Sequence, residues 1–228
     1  MKFRSKRYAG SKEKFLKSKE YELREAISAL KTFDKAKFDE TVEIVMKLGI
    51  DPKRSDQLVR GAISLPKGIG KELKVIAFAS GEKAELAREA GAVEVGGDEL
   101  IKKIEDGWLD FDVAISVPDM MRKVSKLGKI LGPQGKMPSP KSGTVTEDVS
   151  NIVKEFKEGK IEYRTDSGGN VHSPVGKMSF PDEDLIENIK AFVTYIIINR
   201  PSSTKGAFVQ KIFVSSSMSP GIRVSVSL

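Results

Sequence analysis

Along this 228-residue chain the spacing of apolar residues switches between two periods. Leu23, Ala26, Ile27, Leu30 and Phe33 recur at three- and four-residue intervals, which predicts an amphipathic helix over 20–35. At residue 38 the period drops to two. Phe38, Glu40, Val42, Ile44, Met46 and Leu48 alternate with Asp39, Thr41, Glu43, Val45 and Lys47, so a strand is expected over 38–48, closed by Gly49 and Asp51-Pro52. A second strand is expected over 57–65.

Pro66-Lys67-Gly68-Ile69-Gly70 is a cluster of breakers with the composition of a linker. Beyond it short apolar strands at 74–79, 93–95 and 113–117 alternate with helical patterns at 83–90, 98–105 and 119–127, which implies a small parallel α/β sheet. Val149, Ile152, Val153 and Phe156 share one face of a further helix, for which Gly159 is a left-handed cap. Period two returns at 160, with Asp166-Ser167-Gly168-Gly169-Asn170 as a turn. Ser179-Phe180-Pro181 opens a helix that carries Leu185, Ile189, Phe192, Val193 and Ile196 inward, and two strands finish the chain. The expected architecture has two domains of α/β and α+β type: 1–67 and 160–228 form one α+β domain, and 68–159 is an inserted α/β domain.

Charge sharpens this picture. Residues 1–20 hold eight Lys/Arg against Glu13 and Glu20, and beyond Glu187 there are five bases and no acid. The stretch between holds 26 bases and 30 acids. If the termini fold together they form one basic body, for which a polyanion is the natural partner. A lysine-rich tail serves solubility equally well, but the bases near the carboxyl terminus alternate with apolar residues over 207–214 and so belong to folded structure. The chain has no cysteine, which excludes disulfides and thiolate metal sites and fits a reducing cytosol. No metal and no cofactor are expected. The apolar stretch 191–198 is interrupted by Thr194 and too short to span a bilayer, and the amino-terminal bases precede no apolar signal segment, so no membrane association is expected.

Motifs of catalysis fail on spacing. Gly135-Lys136 lacks the upstream glycine of a phosphate loop, because Ile130 stands there, and Met137 replaces the hydroxyl that would hold magnesium. Gly68-Ile69-Gly70 precedes a strand where a dinucleotide loop follows one, and Leu73 replaces its third glycine. His172 is the only histidine, and Ser173 beside it on a strand points to the opposite face. The acid pairs Glu105-Asp106 and Asp110/Asp112 read as a solvated helix end and a strand edge. The run from Lys126 to Lys141, rich in lysine, glycine and proline, reads as a basic surface loop whose backbone phosphate can approach. On the residues alone, a nucleotide-dependent enzyme with its ligand near Ala79-Ser80-Gly81 and an RNA chaperone stay open as alternatives.

Several ordered blocks carry a resemblance that covers the chain from about Lys37 almost to its end. Phe38-Asp39-Glu40-Thr41-Val42, the stretch from Leu48 to Gln57, Val59-Arg60-Gly61, Ser64-Leu65-Pro66, Gly107-Trp108-Leu109-Asp110-Phe111-Asp112, the 126–141 run, Val171-His172-Ser173-Pro174-Val175-Gly176-Lys177 and Ser217-Met218 are similar to the bacterial branch of the first-numbered family of large-subunit ribosomal proteins. The resemblance implies a split α+β domain with a Rossmann-like domain inserted, no enzymatic activity, and a cytoplasmic, ribosome-bound protein. It implies direct binding to large-subunit rRNA, a mobile stalk that acts in release of deacylated tRNA from the exit site, and repression of translation through the protein's own operon mRNA. The implied partners are therefore that rRNA, that mRNA and exit-site tRNA, with a monomer off the ribosome.

The family motif carries over to Lys37, Phe38 and Thr41 and to Ser217, Met218 and Ser219 as RNA-binding residues. These types supply a cation for phosphate, hydroxyls for the 2′-OH and apolar side chains for sugar and base faces. Packing at a strand edge is the alternative for Phe38 and Met218. Ser219 departs from the family, where glycine commonly follows the methionine, and its side chain is expected to loosen contact there. Gly169 and His172 are secondary RNA-binding candidates, and Pro66, Gly68, Gly70 and Gly159 are candidate hinge residues.

Overall fold

The computed structural model describes residues 5–16 and 19–225; Lys2, Arg4 and Lys17 of the basic amino-terminal run lie outside them. The chain divides into two compact units, Met1–Gly70 with Ile161–Leu228, and Lys71–Lys160. Helix α1 (Lys6–Glu13) starts on Ser5, whose hydroxyl accepts from the Tyr8 amide at 3.2 Å. Helix α2 (Leu23–Lys31) buries Leu23, Ala26, Ile27 and Leu30 and stops earlier than its apolar pattern predicts, because the Thr32 amide and hydroxyl both turn back to the Ala29 carbonyl. Strand β1 (Thr41–Leu48) begins three residues later than the alternation predicts. Side chains hold the residues before it: Asp39 accepts from the Ser179 amide and hydroxyl, and Glu40 accepts from the Ala36 amide. Strand β2 (Arg60–Ser64) is likewise shorter than 57–65, since 51–57 form successive turns tied by Gln57 Oε1 to the Asp51 amide.

In the second unit β3 (Val75–Phe78), α3 (Glu82–Glu89), β4 (Glu94–Gly96), α4 (Asp98–Glu105) and β5 (Val113–Ser116) follow the expected alternation. The strands form a parallel sheet in the order β4-β3-β5. All four residues of β3 are buried, and they alternate between two apolar clusters. Val75 and Ala77 pack with Ile115, Val153 and Phe156; Ile76 and Phe78 pack with Leu100, Ile104 and Leu127. The helix expected over 119–127 is broken into α5 (Met121–Val124) between two single 3-10 turns, and α6 (Gly128–Leu131) continues it into the run expected as a loop. Burial of Leu127 and Leu131 in the second cluster holds that path. Helix α7 (Val149–Glu158) ends at Gly159, whose φ of 112° suits glycine.

The remaining elements are β6 (Lys160–Arg164), β7 (Asn170–Lys177), α8 (Asp182–Ile198), β8 (Val209–Ser216) and β9 (Ile222–Val224). They complete the first unit: an antiparallel sheet in the order β7-β1-β8-β9, and a β2-β6 pair. The inward register of β1 buries Val42, Ile44, Met46 and Leu48, as the alternation predicts, and α8 buries Leu185, Ile189, Phe192, Val193 and Ile196. Asp182, Glu183 and Asp184 in the first turn of α8 suit the positive end of its dipole. Tyr163 meets Phe192 edge to face at 5.9 Å, and burial followed by contact with Tyr195 pushes its hydroxyl up to about 12. Gly61 makes this approach possible, since a Cβ there would lie 2.6 Å from the Tyr163 oxygen.

Candidate nucleic-acid interface

The end of the antiparallel sheet where β1 starts and β8 stops brings the two halves of the carried-over motif together. Val42 pairs with Ser216, so Thr41 faces Ser217 at the sheet's margin. The Thr41 amide donates to Ser217 Oγ at 3.1 Å, and the Ser217 amide donates to the Thr41 carbonyl at 3.0 Å. Ser217 Oγ also donates to that carbonyl at 3.4 Å, so this hydroxyl is engaged in closing the strand pair rather than standing free. Thr41 Oγ1 accepts from Lys177 Nζ at 2.9 Å and keeps its own proton for another acceptor.

Phe38 and Met218 are 56% and 51% exposed, so packing at the strand edge leaves about half of each side chain uncovered. A cavity of about 290 Å³ opens beside Phe38, lined by Lys35, Ala36, Asp39, Glu40, Met178 and Ser179. Lys35 and Lys37 are exposed and have no acid partner among the described residues. Ser219 is a departure that the chain accommodates: its hydroxyl accepts from the Ser216 amide at 2.9 Å and donates to the Pro220 carbonyl at 3.1 Å, so the side chain folds back onto the turn.

Glu40 and Lys177 were missed from the sequence. Glu40 is buried, and both of its oxygens accept hydrogen bonds. Burial alone would raise its carboxyl, but the Ser216 hydroxyl, the Ala36 and Met218 amides and the Arg7 guanidinium together hold it below the ordinary carboxylate range. The signal was present: a carboxylate occupying the inward register of a strand among Val42, Ile44 and Met46 needs donors to be buried.

The secondary candidates lie elsewhere. Gly169 precedes β7 and His172 lies near its start, five residues from Lys177, or about 17 Å along a strand. His172 Nε2 is 3.4 Å from Asp166, whose carboxyl is drawn down to about 2 by the Asn170 side chain and amide and by the Gly168 amide. The segment with Pro66, Gly68 and Gly70 is fastened to α8. The fully buried Asn188 accepts from the Lys67 amide at 3.0 Å and donates to the Gly68 and Val175 carbonyls at 2.9 and 2.8 Å. In the 126–141 run Lys136 turns inward, donating to the Leu109 and Phe111 carbonyls at 3.1 and 2.5 Å above the Phe111 ring, contrary to the expected surface cation. Among the described residues no cluster of His, Asp or Glu could hold a metal, and no helix is long and apolar enough to cross a membrane.

A mixed α/β chain whose uncovered aromatic and unpaired lysines meet at one sheet margin has the makings of a binding protein rather than of a catalyst. Residues 30–220 match the Ribosomal protein L1p/L10e family, and the chain belongs to that family, which is one of ribosomal proteins and not of enzymes. It is similar to the large ribosomal subunit protein uL1 of Thermosipho africanus, 54% identical over 221 residues that cover 96% of this chain and 95% of that one. The proteins of the same name from Nocardioides sp. and Kosmotoga olearia are each 52% identical over 221 residues, covering 97% of this chain and 92% and 96% of theirs.

Proposed function

We propose that this chain is a constituent of the large ribosomal subunit that binds large-subunit rRNA directly through Lys37, Phe38, Thr41, Ser217, Met218 and Ser219. It works in the cytoplasm on the ribosome, forms a mobile stalk that acts in release of deacylated tRNA from the exit site, and represses its own operon mRNA through the same face. Off the ribosome it is a monomer. The observation that carries the reading is the joint exposure of Phe38 and Met218 on segments anchored to one carboxylate, in a chain of this family. Exposed apolar side chains flanked by unpaired lysines suit an RNA surface read by shape: the rings and thioether pack on bases and sugars, while ammonium groups and a hydroxyl take phosphate and 2′-OH.

Residues 1–67 with 160–228 are the RNA-binding domain and 68–159 an inserted Rossmann-like domain, a reading supported by the compact units that divide at 70/71 and 160/161. Because Asn188 fastens 67–68 to α8, bending between domains falls on the residues next to Gly70 and Gly159 rather than on Pro66 and Gly68. Gly169 and His172 form a second, weaker contact strip. Titration of the purified chain with its rRNA fragment, its leader mRNA and an unrelated structured RNA tests the function. Preference for the first two is expected, and equal affinity for all three would overturn it.

A further inference from the structure

We propose that Glu40 is the positioning residue of the RNA face, a role that rests on the reading of that face given above. Its carboxylate joins three segments that are distant in sequence. Oε1 accepts from the Ala36 amide at 2.8 Å and faces the Arg7 guanidinium of α1 at 3.8 Å. Oε2 accepts from the Ser216 hydroxyl at 2.5 Å and from the Met218 amide at 3.1 Å.

The consequences for the two apolar anchors differ in detail and agree in direction. Lys37 and Phe38 lie on an arc bracketed by the Ala36 anchor, by Glu40 itself, and by Asp39 held on Ser179. In the opposite turn three successive amides are satisfied internally: Ser217 by the Thr41 carbonyl, Met218 by Glu40 and Ser219 by the Ser216 carbonyl. With its amide held, Met218 presents a side chain that is about half exposed. An exposed apolar group on a preset backbone loses less freedom on binding, which is how a residue with no RNA contact can raise affinity.

Glutamine at this position tests the idea because it keeps the shape and replaces one acceptor oxygen with a donor. Ser216 can rotate its hydroxyl to accept, but the Ala36 and Met218 amides cannot, so one of them faces another N–H and its segment is released. If Glu40 mattered only as a negative charge near RNA, its neutralisation would tighten binding. The positioning role has the opposite sign.

The experiment compares wild type, Glu40→Gln, Met218→Ala, Phe38→Ala and each double variant with Glu40→Gln in rRNA titrations at several salt concentrations, with folding checked by circular dichroism. Glu40→Gln is expected to weaken binding about tenfold, the size expected for one buried amide left without an acceptor. The salt slope should stay unchanged, and the double variant should lose less than the sum of the single losses with Met218→Ala if the Met218 amide is released, or with Phe38→Ala if the Ala36 amide is. Unchanged or tighter binding by a folded Glu40→Gln overturns the proposal, as does strict additivity with both Met218→Ala and Phe38→Ala. If Glu40→Gln fails to fold, Ser216→Ala removes one donor and leaves the charge; it should weaken binding by a smaller factor, and wild-type affinity would overturn the proposal. Loss of no affinity in Met218→Ala and Phe38→Ala together locates the failure in the site itself, and the role of Glu40 then falls with it.

Discussion

The lysine-bearing segments 35–41 and 126–141, one in each unit, share exposed lysines and differ in what stands beside them. In the second, Lys136 is turned inward to close two carbonyls, whereas Lys126, Lys129 and Lys141 are exposed in no ion pair among the described residues, and no large apolar side chain of the run stands uncovered. In the first, Lys35 and Lys37 pair with no acid among the described residues, and Phe38 between them and the sheet stands uncovered. Local lysine content therefore does not mark a polyanion surface. A cation beside an uncovered apolar group suits one better, because the cation gains by releasing counterions from phosphate while the apolar group gains by leaving water.

The comparison breaks most visibly at the apolar groups. Phe38→Ala and Met218→Ala are each expected to weaken rRNA and mRNA binding by ~1–3 kcal/mol, the range for a base stacked on an aromatic or packed on an apolar side chain, with little change in salt slope. Unchanged affinity in folded variants would put the RNA site elsewhere. At Lys136 the effect should appear in stability instead. Lys136→Ala leaves the Leu109 and Phe111 carbonyls without their donor and should lower stability by ~1–3 kcal/mol in thermal melts, while rRNA affinity and its salt slope hold. A fall in slope for this variant would restore the run as a phosphate contact.

Lys37→Ala should do the converse, lowering the salt slope by about one unit or less with no loss of melting temperature. The smallest effect is expected at Asp166. Its carboxyl falls from an ordinary 3.8 to about 2 in the folded chain, so its contribution is complete above the ordinary value and is lost as pH falls toward about 2. A carboxyl titration followed by NMR, with Asn170→Ala returning the midpoint upward, checks this, and an ordinary midpoint in wild type would show the turn to be open.

Particular residues show what the sequence could and could not disclose. Val42 to Leu48 lie inward and Leu185 to Ile196 line α8 as their spacing implies, because both patterns are decided by a single local period. The start of β1 was misplaced because Asp39 finds its partner 140 residues away at Ser179. Glu40 was legible as an anomaly in the inward register, but its donors at Ser216 and Met218 lie 176 and 178 residues downstream and leave no local trace. Within the 126–141 run Lys136 departs from the surface reading for the same reason: the carbonyls that capture it are known only once the second unit is packed.

The place of β1 in its sheet also sets a timetable for synthesis. Both of its neighbours, β7 and β8, come from the far side of the second unit, so β1 leaves the ribosome with two bare edges. At ~5–20 residues per second, the roughly 160 residues from Leu48 to Val209 take about 8–32 s to translate. Residues 71–160 hold all three strands of their own sheet and can fold during that interval. Meanwhile Glu43 and Lys47, on the charged register of β1, guard the unpaired strand against the wrong partners. The margin that carries Phe38 and Met218 thus matures only after β8 and the turn beyond it have emerged.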